Sequence, residues 1–321
     1  MPIGTKTDFK IYDEQFFTGV TEVVLQNTNV FNTASANGIQ LVPARLKGDF
    51  ERNSFMKYIP DLIQRRDITS TAPVPDQAMV QGEIVGVKLN RRIGPIANTL
   101  DSFKKIAEDP QVFSYLLGQQ WAPELLADQV NTSILAAVTA FMTETDLVSN
   151  HNTNTITPSF LVDAVSRFGD QSRNVVAFVM HSKVWFDLVK ALIAGAVTNV
   201  ADVAIHTGNA ATLGRPTIVT DSPALVDNSG LDPVYRTLAL VAGGIVVAES
   251  EERDIASEQK LGSENLVMRI QGEYAYNLKL KGFKYSSLSA NPTDSALQTP
   301  TNWGMEVHDI KACGGSVLLT L

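Results

Sequence analysis

The stretch from Val175 to Ala248 limits the possible folds more than any other part of this chain. Val175-Val176-Ala177-Phe178-Val179-Met180 has no polar position. An apolar run of this length, rich in β-branched residues and too short for a core helix, fits a strand covered on both faces. At His181-Ser182-Lys183 the pattern changes to a capped helix reaching Ile193. Beyond Gly214-Arg215-Pro216, the run Thr217-Ile218-Val219-Thr220-Asp221 reads as a second strand. Leu238 to Ala248, broken at Gly243-Gly244, reads as further strand. A strand covered on both faces needs partners at its edges and another layer across each face. The chain is therefore committed to an α+β architecture around residues 175–250.

The flanking segments look unable to fold alone. Asp13 to Val24 reads as a short helix with Phe16, Phe17, Val20, Val23 and Val24 on one stripe. A small, polar arm follows through Gly38, with Phe31 as its large apolar residue. Residues 49–66 mix charges with Phe50, Phe55, Met56, Tyr58, Ile59, Leu62 and Ile63, and close on Arg65-Arg66-Asp67. Pro73 and Pro75 mark a tip, and Ile84, Val85, Val87 and Leu89 suggest a returning strand interrupted by Gly82 and Gly86. This is a long hairpin. An isolated two-stranded hairpin is marginal in water, so this one is expected to lie on its own domain or on a second copy.

Asp109-Pro110 is a helix start, an N-cap followed by Pro. Leu126, Val130, Ile134, Val138 and Met142 then recur every four residues. Pro123 falls inside this run and is expected to kink or split it. An unbroken helix from Asp109 to Thr143 would be about 50 Å long. After the polar linker 149–155, Pro158 opens another helix, and 195–213 reads as a loop. Glu249 to Glu258 reads as a solvated acidic face or loop. Tyr274, Tyr276, Leu278 and Leu280 alternate with Ala275, Asn277, Lys279 and Lys281, the pattern of a half-exposed strand. The apolar end Val317-Leu318-Leu319-Thr320-Leu321 needs a place inside a sheet.

With 321 residues the chain fits one large domain or two to three smaller ones. A net charge of -8 argues against a histone-like or operator-binding protein, since phosphate contacts come from Lys and Arg clusters. It leaves open a container for nucleic acid. The single cysteine, Cys313, excludes an intrachain disulfide and suits a reducing cytoplasm. No apolar h-region of a signal peptide is visible near Met1. No apolar stretch is expected to reach the roughly 20 residues of a membrane span.

Chemical motifs are missing from the sequence: there is no phosphate-binding loop, dinucleotide fingerprint, HExxH, nucleophile elbow or CxxC pair. His151, His181, His206 and His308 are too far apart in sequence for a helical two-histidine site. His181, at a strand-to-helix junction, is read as a capping or packing residue before a catalytic base. Asp254 and Glu258, near Glu251 and Glu252, are read as a solvated face before a cation site. Cys313 is read as a packing residue. Arg65-Arg66 are read as partners for carboxylates, across a subunit boundary, before phosphate ligands. No catalytic residue, metal or cofactor is expected.

The strand, capped helix, Gly-Arg-Pro and paired apolar runs resemble the central part of tailed-phage major capsid proteins with the HK97-type fold. The order of the other segments is similar too. The resemblance implies an N-terminal arm over residues 1–45 and an extended E-loop hairpin over 46–92. It implies a peripheral P-domain with a long spine helix over 93–157 and an α/β axial A-domain over 158–262. Residues 263–321 would return to the P-domain, with the final strand rejoining the A-domain. It further implies self-assembly as pentamers and hexamers into an icosahedral shell around double-stranded DNA, without sequence-specific DNA contacts or a membrane. A portal and separate scaffolding or decoration proteins would be partners, with the shell built in the host cytoplasm and ending in the virion. The expected interface comprises Arg65, Arg66, Asp67, Ile84 and Val87 of the hairpin and Phe16, Phe17 and Phe31 of the arm. Three alternatives remain at this point: an encapsulin-like compartment, an α/β enzyme around residues 175–250, and a tail or head-completion protein.

Overall fold

In the computed structural model, residues 28–42, 48–59, 62–99, 110–197, 212–260, 264–287 and 289–321 are described. The expected helix at 13–24, with Phe16 and Phe17, the cap Asp109 and most of the loop 195–213 lie outside these residues.

Val175–Met180 forms β5, an inner strand of a six-stranded sheet, paired on both edges. Its order is β4 (Val148–Asn150), β13 (Gly315–Thr320), β8 (Val234–Val241), β5 and β6 (Thr217–Val219), with β7 (Val226–Asp227) also paired to β8. Val179 faces Leu238 of β8 in an antiparallel pair and Ile218 of β6 in a parallel one. The apolar C-terminus is inserted between β8 and β4 as β13. One face of this sheet is covered by α3 (Pro158–Ser166) and α4 (Ser182–Val197), through Leu161, Val165, Val184 and Leu188. This is why β5 could carry no polar residue.

The second sheet has the order β1 (Ile39–Val42), β9 (Ile245–Lys260), β10 (Val267–Leu280), β3 (Gln81–Thr99) and β2 (Phe50–Met56). β1 runs parallel to β9 and the other pairs are antiparallel. A small ribbon of β11 (Phe283–Tyr285) and β12 (Trp303–Met305) follows, with the short α5 (Asp294–Leu297) between them. Residues 28–34 form helix α1 ahead of β1.

The long helix α2 (Pro110–Met142) joins the two sheets. Ile134, Ala137 and Phe141 share one core cluster with Val179, Leu238 and Val317 of the first sheet and with Ile245, Tyr276 and Leu278 of the second. Polar contacts fix it further. Tyr274 donates to Asp128 at 2.8 Å, and the Arg91 guanidinium reaches Asp128 at 3.2 Å and Asp294 at 2.9 Å. Pro123 does not split the helix. A proline removes one backbone donor and crowds one carbonyl, a local loss that packing on two sheets outweighs. Residues 120–142 are also long and apolar enough to cross a membrane, contrary to the sequence expectation, but 56% of that stretch is buried inside the protein. From Thr132 to Phe141 the helix is buried almost all round, which is what its position between the two sheets requires.

Four further expectations are corrected. The acidic run Glu249 to Glu258 belongs to β9, because strand pairing uses backbone groups and does not depend on the side chains being apolar. There Glu258 is in register with Arg269. β10 alternates between exposed and buried positions over residues 269–274, but beyond them Ala275 and Asn277 are buried as fully as Tyr276 and Leu278, so that part is covered on both faces. The chain leaves the first sheet at Gly243-Gly244, so residues 245–260 of the expected axial segment 158–262 belong with β10 and β3. Val87 is fully buried, so it holds its own subunit together and is not free to touch a second copy, while Phe31 is partly buried against the same core cluster.

Where the chain passes between the sheets, backbone lies against backbone. Gly244, in the β8–β9 turn, abuts Gly314, just before β13. A Cβ on Gly314 would stand 2.6 Å from the Gly244 carbonyl oxygen. Val241 N–H donates to Gly314 O, Gly314 N–H to Lys281 O, and Lys281 N–H to Gly244 O, all at 2.9–3.0 Å. Only glycine permits so close an approach.

Candidate assembly interface

The hairpin of β2 and β3 is built by ordinary pairing, from Phe50 opposite Val87 to Met56 opposite Gln81. Glycines let it lie flat on its neighbours: a Cβ on Gly86 would stand 3.0 Å from the Leu278 carbonyl oxygen. One further rung, Lys57 N–H to Val80 O at 2.9 Å, closes the ladder. Residues 62–80 then leave the subunit without strand structure, every one of them exposed. The residues are not those of a solvated loop. Ile63 is 95% exposed, Ile68 83%, Val74 79% and Met79 72%. Exposed apolar residues clustered in one projecting segment mark an interaction surface.

The expected interface residues separate on this structure. Arg65, Arg66 and Asp67 all lie in the exposed stretch. Asp67 has local work: its carboxylate accepts from the Thr69 N–H at 2.9 Å and the Thr69 hydroxyl at 2.7 Å. These bonds hold its carboxyl below the usual range and shape a turn. Ile84 is half-buried on the hairpin stem. Val87 belongs to the core, Phe31 is partly buried against it, and Phe16 and Phe17 lie outside the described residues. Composition hid the apolar tip. Ile68, Val74, Val80 and Met79 are scattered among Ser, Thr, Pro and Gln, with no period to single them out.

Other groups with chemical potential are engaged in structure. His181 Nδ1 accepts from the Lys183 N–H at 3.1 Å and caps α4. Asp221 lies 3.6 Å from His181 Nε2, but Ser182 is bonded to Asp221, and that bond is the main reason its carboxyl sits low. Serine and histidine are thus not coupled as nucleophile and base. Beside β4, a shallow cavity of about 570 Å³ is lined by Ser149, His151, Asp163 and Arg167. Within it His151 Nε2 lies 3.1 Å from an Asp163 carboxylate oxygen, and Arg167 Nε donates to the Ser149 hydroxyl at 3.0 Å. Glu258 is exposed on β9, and the side chain of Asp254 lies outside the described residues. Among the described residues, no three His, Cys, Asp or Glu side chains converge as a metal site would require. Cys313 is fully buried, and burial pushes its thiol up to about 12.

Two sheets around a shared helix, with an extended apolar-tipped hairpin at the edge of one, define a capsid subunit of the HK97-type class. Solved structures of the same fold include the cyanophage Pam1 capsid asymmetric unit, 11% identical, with a TM-score of 0.54 and 88% of each chain covered. Mycobacterium phage Adephagia is 9% identical, with a TM-score of 0.53 over 90% of each chain. The capsid of Ralstonia phage GP4 is 12% identical, with a TM-score of 0.51 over 90% of this chain and 88% of that one. No curated protein sequence matches the chain. Residues 8–317 match the model of the Gp13-like family, major capsid protein 13-like, and the chain belongs to that family. It is a phage coat protein of the virion capsid, a structural subunit that associates with copies of itself.

Proposed function

We propose that this coat protein assembles as pentamers and hexamers into an icosahedral shell around double-stranded DNA, and that it performs no catalysis. Its partners would be further copies of itself, a portal, and a separate scaffolding or decoration protein, with assembly in the host cytoplasm. In this reading the sheet around β5 serves as the axial domain and the sheet of β3, β9 and β10, backed by α2, as the peripheral domain. Residues 46–92 serve as the extended loop that lies on a second copy, and residues 1–45 as the arm. Heterologous contacts of this kind close into rings and shells.

The observation that carries the reading is the exposed apolar stretch 62–80, which finds no cover on its own subunit. Membership of a coat-protein family supports the non-enzymatic part. The net charge of -8 supports packaging without tight DNA binding. Electron microscopy of the protein expressed with its neighbouring genes tests it. Closed particles with five- and six-fold capsomers and DNA inside are expected. Particles filled with an enzyme would favour the compartment reading, and discrete monomers in the presence of scaffold would overturn the shell.

A further inference from the structure

Near its base the hairpin is tied to β10 by Glu51 and Lys279, at 2.7 Å, and at the outer end of its ladder it is tied to the body by the Glu306 carboxylate. Glu306 follows β12, and its backbone N–H donates to Gly282 O at 2.9 Å, which fixes it to the body of the subunit. One carboxylate oxygen accepts from Lys284 of β11. The other accepts from Lys57 Nζ at 2.8 Å, at the last rung of the hairpin ladder. The Glu306 side chain is only 11% exposed. Burial raises its carboxyl, but the Lys284 and Lys57 ammonium groups outweigh that and hold it below the ordinary range. Beside it the Tyr58 ring sits 6.0 Å from the His308 ring. Gly82 leaves room for the crossing, since a Cβ there would stand 2.8 Å from Lys57 Cε and from Phe55 Cζ. Just past this point the exposed stretch begins.

We propose that Glu306 is a latch that pins the outer end of the hairpin, the rung where Lys57 pairs with Val80, to the body of the subunit. Lys284 ties the carboxylate to the body, and Lys57 ties the hairpin to the carboxylate. When the hairpin lifts, only the Lys57 half opens. Breaking a buried ion pair normally strands an uncompensated charge, which makes such pairs hard to open. Here Lys284 remains on the carboxylate after Lys57 leaves, while the partly exposed Lys57 ammonium moves into water. The shared geometry makes the hairpin side reversible. It gives the hairpin a closed position on its own subunit and an open one. This goes beyond the shell reading, concerns contacts within one chain, and its failure would leave that reading standing.

The test is hydrogen exchange by mass spectrometry on the purified full chain, following the Lys57 amide that Val80 closes. Lys57→Gln should speed its exchange about fivefold, the scale of a partly exposed ion pair. Glu306→Gln should do the same, Lys284→Gln should have a smaller effect than Lys57→Gln, and Lys57→Arg should retain protection. Unchanged exchange in Lys57→Gln, or equal loss in Lys57→Arg, refutes the latch. If Glu306→Gln loosens the whole chain, the two Lys57 variants still decide, because that side chain lies at the surface.

Discussion

Ile63→Ala separates assembly from folding with the least ambiguity. The side chain is 95% exposed in the subunit, so folding gains almost nothing from it, and its truncation should shift subunit stability by no more than about 0.5 kcal/mol. If the tip is buried on a second copy, truncation removes three carbons from that contact. At about 0.8 kcal/mol per buried carbon, this is roughly 2 kcal/mol per subunit contact. Two kilocalories correspond to about a thirtyfold weaker pairwise association. The effect repeats at every copy in a shell, so the threshold concentration for assembly should rise by at least that factor. Light scattering against protein concentration, with thermal unfolding of the same preparations as control, measures both quantities. Assembly at the native threshold, with unfolding also unchanged, would refute the claim that this tip is an interface.

Gly244→Ala should destabilise the subunit by about 3 kcal/mol, because its methyl would meet the Gly314 carbonyl with no room to move; denaturant titration reads this directly. Cys313 should resist thiol reagents in the native state and react fully after unfolding, since burial both shields it and keeps it protonated; a colorimetric thiol titration checks it. The Glu306 latch should weaken in acid. A depressed carboxyl stabilises above its unfolded value, here 4.5, and that contribution is lost as pH falls through the lower folded value. Lys57 and Lys284 face the carboxylate directly and His308 sits beside Tyr58. Exchange at Lys57, corrected for its intrinsic pH dependence, should therefore rise below pH 4.5 and stay level near neutrality.

The sequence was most legible where burial was complete. β5 could be placed because a strand covered on both sides tolerates no polar residue, α4 and β6 from the cap and the Gly-Arg-Pro turn that bound them, and β13 because an apolar end must pair. The hairpin was legible from its turn residues. β9 was missed because five carboxylates in ten positions look like a loop, although pairing depends on backbone alone. β10 was misjudged because alternation separates polar from apolar positions but does not say whether the polar side is covered. Val87 was assigned to the interface because a hairpin strand was treated as a unit, whereas its base is core and only its tip is surface. Glu306, Lys57 and Lys284 carry no local signal at all. Three charged residues so far apart in sequence become a site only after the sheet and ribbon have folded.

The contact of Gly244 with Gly314 has a mechanical meaning. Side-chain packing yields gradually under load, because rotamers shift and methyl groups slide. Here the two sheets are coupled by covalent chain and by backbone hydrogen bonds between Val241, Gly314, Lys281 and Gly244, with no compressible side chain between them. A force applied to the edge of one sheet is thus delivered to the other with little slack. At this junction the subunit has little compliance of its own, so a wall built from such subunits would flex first at the contacts between them.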